Sequence, residues 1–160
     1  MGYAATGFLS DTDATDQLGT GLAALLQPGD VVLLEGQIGA GKSHLARTII
    51  QSMCYAAGLP PVDVPSPTYT LVQTYNLPNA TVWHADLYRL SDASEVPELG
   101  LEDAIGTDIL LIEWPDRLDE MPSGALTVEL TVEGEGRRVK LSSQAERWSK
   151  ISQLFQAHDA

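Results

Sequence analysis

Hydrophobic and polar positions change period several times along the chain, and each change marks an element. Residues 14–26 place Leu18, Leu22, Leu25 and Leu26 at helical spacing, which predicts an amphipathic helix. Pro28-Gly29-Asp30 stops it. Val31 to Glu35 is a continuous apolar run closed by one acid, the pattern of a strand covered on both faces. Gly36 to Gly41 can continue neither element. Lys42 to about Ala57 returns to helical spacing through Leu45, Ile49, Ile50 and Met53, with Gly58 as its cap.

Leu59 to Pro67 holds four prolines and reads as a loop or extended connection. Tyr69–Tyr75 and Thr81–Leu87 alternate like strands around a polar turn, Asn76 to Asn79, and predict a hairpin. Residues 92–105 predict one or two short helices. Asp108 to Glu113 is a second buried strand. Ala125–Val132 and Arg137–Ser142 alternate around Glu133-Gly134-Glu135-Gly136, a second hairpin. Gln144 to Ala157 predicts a terminal helix. A strand–loop–helix start followed by mixed elements indicates an α/β fold. The hairpins add antiparallel strands to a parallel core, giving a mixed sheet.

Composition narrows this frame. A chain of 160 residues with 44% apolar and 19% charged content fits one globular domain spanning residues 1–160. No stretch approaches the roughly 18 consecutive apolar residues of a membrane span. The first residues lack the regions of a secretory signal. They match a short myristoylation pattern that often arises by chance. Cys54 is the sole cysteine, so an internal disulfide is excluded; a cytoplasmic location is expected. The net charge of −13 opposes direct, tight contact with a phosphate backbone. It also suits a basic protein partner, or solubility alone.

The chemistry centres on Gly36-Gln37-Ile38-Gly39-Ala40-Gly41-Lys42-Ser43, which fits G-x-x-x-x-G-K-[ST] at every fixed position. A buried strand precedes it and a helix follows. Glycines at 36, 39 and 41 permit torsions that other residues resist, so backbone N–H groups can converge on phosphate oxygens. The helix beginning near Lys42 adds its positive end. Lys42 is expected on the β- and γ-phosphates and Ser43 on Mg²⁺, with Gly36, Gly39, Ala40, Gly41 and His44 completing the nucleotide contacts.

Such a loop needs a carboxylate near the metal. Two strands end in one: Asp108–Glu113 and Thr81–Asp86. The more buried strand favours Glu113 as the metal-side acid, leaving Asp86 to orient or deprotonate water. Sequence alone also allows either acid to face solvent. His84 shares a strand face with Asp86 but has no second ligand at helical spacing, and is not assigned to a metal. Ser66-Pro67-Thr68 is either a hydroxyl-bearing switch that senses the γ-phosphate or a rigid turn.

Five blocks occur in order: Gly36 to Ser43, Ser66-Pro67-Thr68-Tyr69-Thr70-Leu71-Val72, His84-Ala85-Asp86-Leu87-Tyr88-Arg89-Leu90, Leu99-Gly100-Leu101-Glu102-Asp103, and Glu113-Trp114-Pro115. Together they resemble the TsaE (YjeE) family, the P-loop ATPases of bacterial tRNA threonylcarbamoyladenosine biosynthesis. The resemblance implies the three-layer P-loop NTPase fold and slow hydrolysis of ATP with Mg²⁺. It implies work with the TsaD and TsaB proteins, tRNA being met only through that complex. Ser43 and Glu113 would hold Mg²⁺, and Lys42 and Asp86 would serve the reaction. Ser66 to Thr68 would form the switch-like loop, and Trp114 would lie near the nucleotide. Arg137 and the Asp13–Thr15 segment, Thr15 included, would sit near base or ribose. Three departures are visible: Ser43 and His44 stand where the family commonly has threonine, and Gln37-Ile38 where it has Asp-Leu.

Three rivals share the loop. A small-molecule kinase usually carries arginines on a lid, whereas Arg89, Arg117, Arg137 and Arg138 are scattered. A GTPase needs an N-K-x-D segment, which is missing. A nucleotide-gated adaptor without turnover is compatible with the proline-rich switch.

Overall fold

Seven strands form one mixed sheet in the order β1-β7-β6-β2-β5-β4-β3. The computed structural model describes residues 2–90, 95, 99–118 and 120–156. The strands are β1 (Tyr3–Leu9), β2 (Val31–Gly36), β3 (Val72–Asn76), β4 (Thr81–Asp86), β5 (Ile109–Glu113), β6 (Leu126–Glu133) and β7 (Gly136–Ser143). The helices are α1 (Thr12–Leu25), α2 (Lys42–Ala56), α3 (Leu101–Ala104) and α4 (Gln153–Gln156). β6, β2, β5 and β4 run parallel, while β7 with β1, and β3, add antiparallel strands at the two edges. The mixed α/β fold expected from the sequence is present.

Alternation along the central strands divides the core. Val32 and Leu34 of β2, with Ile109 and Leu111 of β5, face α1 and α2 and meet Leu18, Leu22, Leu45 and Ile49. Val31 and Leu33, with Leu110 and Ile112, face the other way onto α3 and the segments carrying Leu87 and Leu90. Among the described residues the layers are therefore helix pair, sheet, and a cover that includes the single turn of α3. That cover stops short of the β1-β7-β6 half, where Thr6, Phe8, Glu129, Thr131, Arg138 and Lys140 are exposed. Among the described residues no helix is long and apolar enough to cross a membrane.

Three boundaries differ from the sequence reading. β1 was not anticipated: its inward positions are Tyr3, Ala5, Gly7 and Leu9, and small residues at two of them leave little apolar contrast. The strand expected from Tyr69 starts only at Val72. Leu71 adopts φ 69°, and its N–H closes onto the Pro67 carbonyl at 2.7 Å, so residues 68–70 form a turn. The terminal helix is broken into a 3₁₀ turn over Glu146–Trp148 and the short α4. Trp148, Ile151 and Leu154 pack on the core at a spacing of three, and the bonds Trp148→Ala145, Ile151→Trp148 and Leu154→Ile151 span three residues each. Three residues per turn is the 3₁₀ period. Of the helices expected over 92–105, α3 is present; residues 92–94 and 96–98 lie outside the described residues.

The parallel register decides where chemistry can gather. Leu34 of β2 is paired with Glu113 of β5, and Glu113 with Asp86 of β4. Three strands thus end side by side, and β2 passes there into the glycine loop. Gly36 turns the chain at φ 150°; a Cβ would lie 2.6 Å from the Leu130 carbonyl oxygen of the neighbouring strand and 3.1 Å from the Ala40 Cβ. Only a residue without a side chain fits between β6 and the loop. Gly36→Ala is expected to lower stability by about 1–3 kcal/mol. Urea denaturation checks this, and an unchanged midpoint and slope would contradict the packing described.

Candidate phosphate-binding site

The loop from Gly36 to Gly41 leads from β2 into α2. Gly39 and Gly41 adopt φ 84° and 106°, and no atom lies within 4 Å of where their Cβ would stand. These glycines answer a torsional need rather than a steric one. Gly41 precedes α2 without any side-chain cap. The N–H groups of Gly39, Gly41, Lys42 and Ser43 find no backbone acceptor among the described residues, while Ala40 N–H bonds to the Gln37 carbonyl. A turn of free donors at the start of a 15-residue helix is an anion receptor in chemical terms.

Lys42 is buried and crosses this turn. Its Nζ donates to the Gly36 carbonyl at 2.5 Å and the Gln37 carbonyl at 3.1 Å. It also sits 3.9 Å from the centroid of the Trp114 ring. Burial lowers its pKa, while the charges of Glu113, Asp86 and Asp116 pull it back up. Trp114 holds its place through a left-handed φ of 59°, a backbone state that disfavours large residues. Its ring centroid is 4.8 Å from that of Tyr88.

Glu113, at the end of β5, is 2% exposed. Ser43 Oγ donates to its Oε1 and Oε2 at 2.9 and 3.0 Å. His84 Nε2 lies 2.6 Å from its Oε2, with both side chains buried. Asp86 accepts from Tyr88 N–H at 3.0 Å and from Thr68 Oγ1 at 3.3 Å. Thr68 Oγ1 lies 2.8 Å from Ser66 Oγ, which is 3.5 Å from Ser43 Oγ. A string of hydroxyls from the 66–68 segment therefore links the two carboxylates. Among the described residues no three His, Cys, Asp or Glu side chains converge well enough to hold a metal by themselves. The donor set Ser43 and Glu113 suits an ion that takes its remaining ligands from phosphate and water, as Mg²⁺ does.

A cleft of about 370 Å³ is lined by Ile38, Gly39, Gly41, Lys42, Ser43, His44, Thr68, Asp86, Tyr88, Glu113 and Trp114. Most residues singled out from sequence thus meet in one place. Gly36, Ala40, Thr15 and Arg137 do not line it. Thr15 is buried on α1, its hydroxyl on the Asp11 carbonyl at 3.4 Å. Arg137 reaches the outside of the loop, donating to Ala40 O at 3.0 Å and Gly39 O at 3.1 Å. Sequence reasoning missed Asp16, which accepts from Thr48 Oγ1 at 2.9 Å and lies 2.7 Å from His44 Nε2. It also missed the partner of His84. The signal for that partner was the shared register of two strands ending in acids, which a single strand cannot reveal. Two larger clefts flank α1, and Asp16 lines both of them.

Comparison with known proteins agrees with this picture. A family model described as "Threonylcarbamoyl adenosine biosynthesis protein TsaE" matches residues 9–140. The protein named tRNA threonylcarbamoyladenosine biosynthesis protein TsaE from Rickettsia felis is 39% identical over 132 residues, covering 82% of this chain and 75% of its own. Its namesake from Haemophilus influenzae is 35% identical over 127 residues, covering 78% and 77%. The crystal structure of Bacillus subtilis YdiB superposes with a TM-score of 0.69 over 100% of this chain and 99% of that one. At 22% identity that likeness speaks for the fold.

Burial raises the pKa of Asp86 above its ordinary 3.8; the Tyr88 N–H lowers it, Glu113 raises it further, and Thr68 and His84 lower it. A carboxyl whose folded pKa is raised supports folding below its ordinary value and loses that support as pH rises through the folded value. At neutral pH the ionised Asp86 therefore works against the fold. Asp86→Asn is expected to raise the melting temperature of the nucleotide-free chain at neutral pH, with the gain shrinking as pH falls toward 3.8. A variant that melts lower than the parent at neutral pH refutes this account of Asp86.

Proposed function

The chain belongs to the TsaE family of threonylcarbamoyl adenosine biosynthesis proteins, and on that premise we propose that it binds ATP with Mg²⁺ and hydrolyses it to sustain threonylcarbamoyl transfer to a tRNA adenosine by the TsaD–TsaB complex. The observation that carries the proposal is the contact of Ser43 with Glu113 at 2.9 Å, beside a loop of free N–H donors. Hydroxyl, carboxylate and phosphate receptor meet in one cleft.

In this reading the N–H groups of Gly39, Gly41, Lys42 and Ser43 hold phosphate oxygens, and Lys42 turns its ammonium from the loop carbonyls to the β- and γ-phosphates. Ser43 and Glu113 hold Mg²⁺, which when bound neutralises charge on the phosphate oxygens. His84 fixes the orientation of the Glu113 carboxylate from behind. Asp86 is the group that takes or steers a proton from water at its Oδ atoms. Its raised pKa makes it a stronger base than an exposed aspartate. Ser66 and Thr68 tie the proline-rich segment to both acids, so that segment is placed to respond to the terminal phosphate. Thr15 would stand toward the base or ribose, while Arg137 supports the loop from its outer side. Tyr88 and Trp114 wall the cleft and keep water from Lys42. The acidic chain meets tRNA through its protein partners.

A small-molecule kinase finds no support in the arginines. Arg89 stacks on Tyr69, Arg138 pairs with Glu133, and Arg117 reaches the Tyr88 carbonyl. None forms a lid over the cleft.

Lys42→Ala is expected to weaken ATP binding by at least about thirtyfold, the loss that follows when one member of a buried charged contact is removed. Titration calorimetry with and without Mg²⁺ measures it. Reconstituted tRNA modification with TsaD and TsaB should slow after few turnovers when this chain is omitted or carries Lys42→Ala. Equal modification over many turnovers without the chain would sink the proposed role. A Lys42→Ala variant that sustains modification would favour an adaptor without turnover.

A further inference from the structure

Arg137 stands at the second position of β7, on the face covered by α1 and α2, directly after Gly136. Gly136 permits a tight approach there: a Cβ at that position would lie 2.5 Å from the Phe8 ring and 2.6 Å from the Leu9 carbonyl oxygen. From this anchored start the guanidinium spends three of its five donors on carbonyls. Nη1 donates to Gly136 O at 2.9 Å, Nε to Ala40 O at 3.0 Å and Nη2 to Gly39 O at 3.1 Å. Two of these acceptors are consecutive peptides of the glycine loop, gripped by adjacent nitrogens of one rigid fork. Among the described residues Arg137 has no carboxylate partner within salt-bridge distance.

A trans peptide points its C=O and N–H in opposite directions. Tying the carbonyls of Gly39 and Ala40 outward therefore turns the N–H groups of Ala40 and Gly41 away from Arg137. Ala40 N–H is taken by Gln37, which leaves Gly41 N–H directed toward the cleft side. Both glycines occupy positive φ, where the backbone has wide freedom and no side chain to restrict it. A loop of this composition needs an external constraint to keep its donors aimed.

We propose that Arg137 is a positioning residue that holds the phosphate loop in its anion-binding form by clamping the Gly39 and Ala40 carbonyls, acting on the triphosphate through the loop and not on the base or ribose. The proposal rests on the phosphate-binding reading given above. It assigns to Arg137 a task shared by every ligand with a polyphosphate tail. It also places a fixed positive charge behind the loop, where it adds to the field of the α2 N-terminus.

The test compares ATP, GTP and inorganic tripolyphosphate, each titrated calorimetrically with Mg²⁺ into the full chain, its Arg137→Ala and Arg137→Lys variants, and Lys42→Ala. Arg137→Ala should weaken ATP and tripolyphosphate by the same factor, about tenfold to a hundredfold. Amide exchange at residues 39–43 should quicken while the melting temperature of the fold holds. Arg137→Lys keeps the charge and stem but loses the fork, and should recover less than half of the binding free energy lost. Loss of ATP affinity with tripolyphosphate affinity intact would overturn the proposal in favour of a base or ribose contact. Parent-like binding by Arg137→Lys would overturn the fork geometry. Failure of Lys42→Ala to weaken any ligand would overturn the phosphate receptor itself, an outcome separate from any result at Arg137.

Discussion

Two carboxylates, Asp86 and Glu113, end adjacent parallel strands in direct register, and both are almost removed from water. Like charges at that spacing repel, and each pays for desolvation. The surrounding residues read as compensation. Ser43 and His84 approach Glu113, Thr68 and the Tyr88 N–H approach Asp86, and Lys42 contributes the nearby positive charge. That compensation is incomplete, as the raised pKa of Asp86 shows. A fold selected for stability alone has no use for such a pair. The parallel sheet makes it unavoidable once both strands end in acids, because the register aligns their last residues.

The same register explains why the glycine loop and the acids meet. β2 lies between β5 and β6, and Leu34 is aligned with Glu113. The loop leaving β2 must therefore start within reach of the β5 terminus, and the first turn of α2 carries Ser43 back over it. Leu111 and Leu34 beneath are fully buried, so this end of the sheet rests on rigid packing. Position is set by strands, while the donors lie on a loop of mobile composition. The two requirements are reconciled by fixing that loop from both sides, with Lys42 on its own carbonyls and Arg137 on those behind.

Much of this was readable from the residues. The glycine loop, both acids and the Ser66-Pro67-Thr68 segment are local signals, each written within a few positions, and strand–loop–helix context followed from apolar runs on either side. What escaped was of two kinds. Some elements lacked contrast: β1 alternates through alanine and glycine, and the terminal segment has an apolar spacing of three that a helical reading absorbs. Other features exist only between segments distant in sequence. His84 and Glu113 are 29 residues apart, Asp16 and His44 are 28 apart, and Arg137 lies 97 positions from Ala40. Periodicity does not encode such contacts; the sheet order creates them. The resemblance implies Arg137 near the base or ribose, whereas its fork takes the Gly39 and Ala40 carbonyls.

The overall charge sharpens this division of labour. A chain of net charge −13 generates a long-range field that repels a triphosphate. Screening confines that repulsion to about 8 Å at physiological ionic strength, so attraction must be local and concentrated. The cleft meets this demand with few charges. Lys42 lies within it, the N-terminus of α2 opens onto it, and Arg137 stands behind the loop with no salt-bridge partner among the described residues. Most other described arginines are already engaged with aromatic rings or acids. Positive charge is thus concentrated at this one turn of backbone, while the nine Lys and Arg of the chain form no long basic run in the sequence. A composition that opposes contact with a long polyanion still suits the proposed hold on a single compact anion, provided the loop is held in shape.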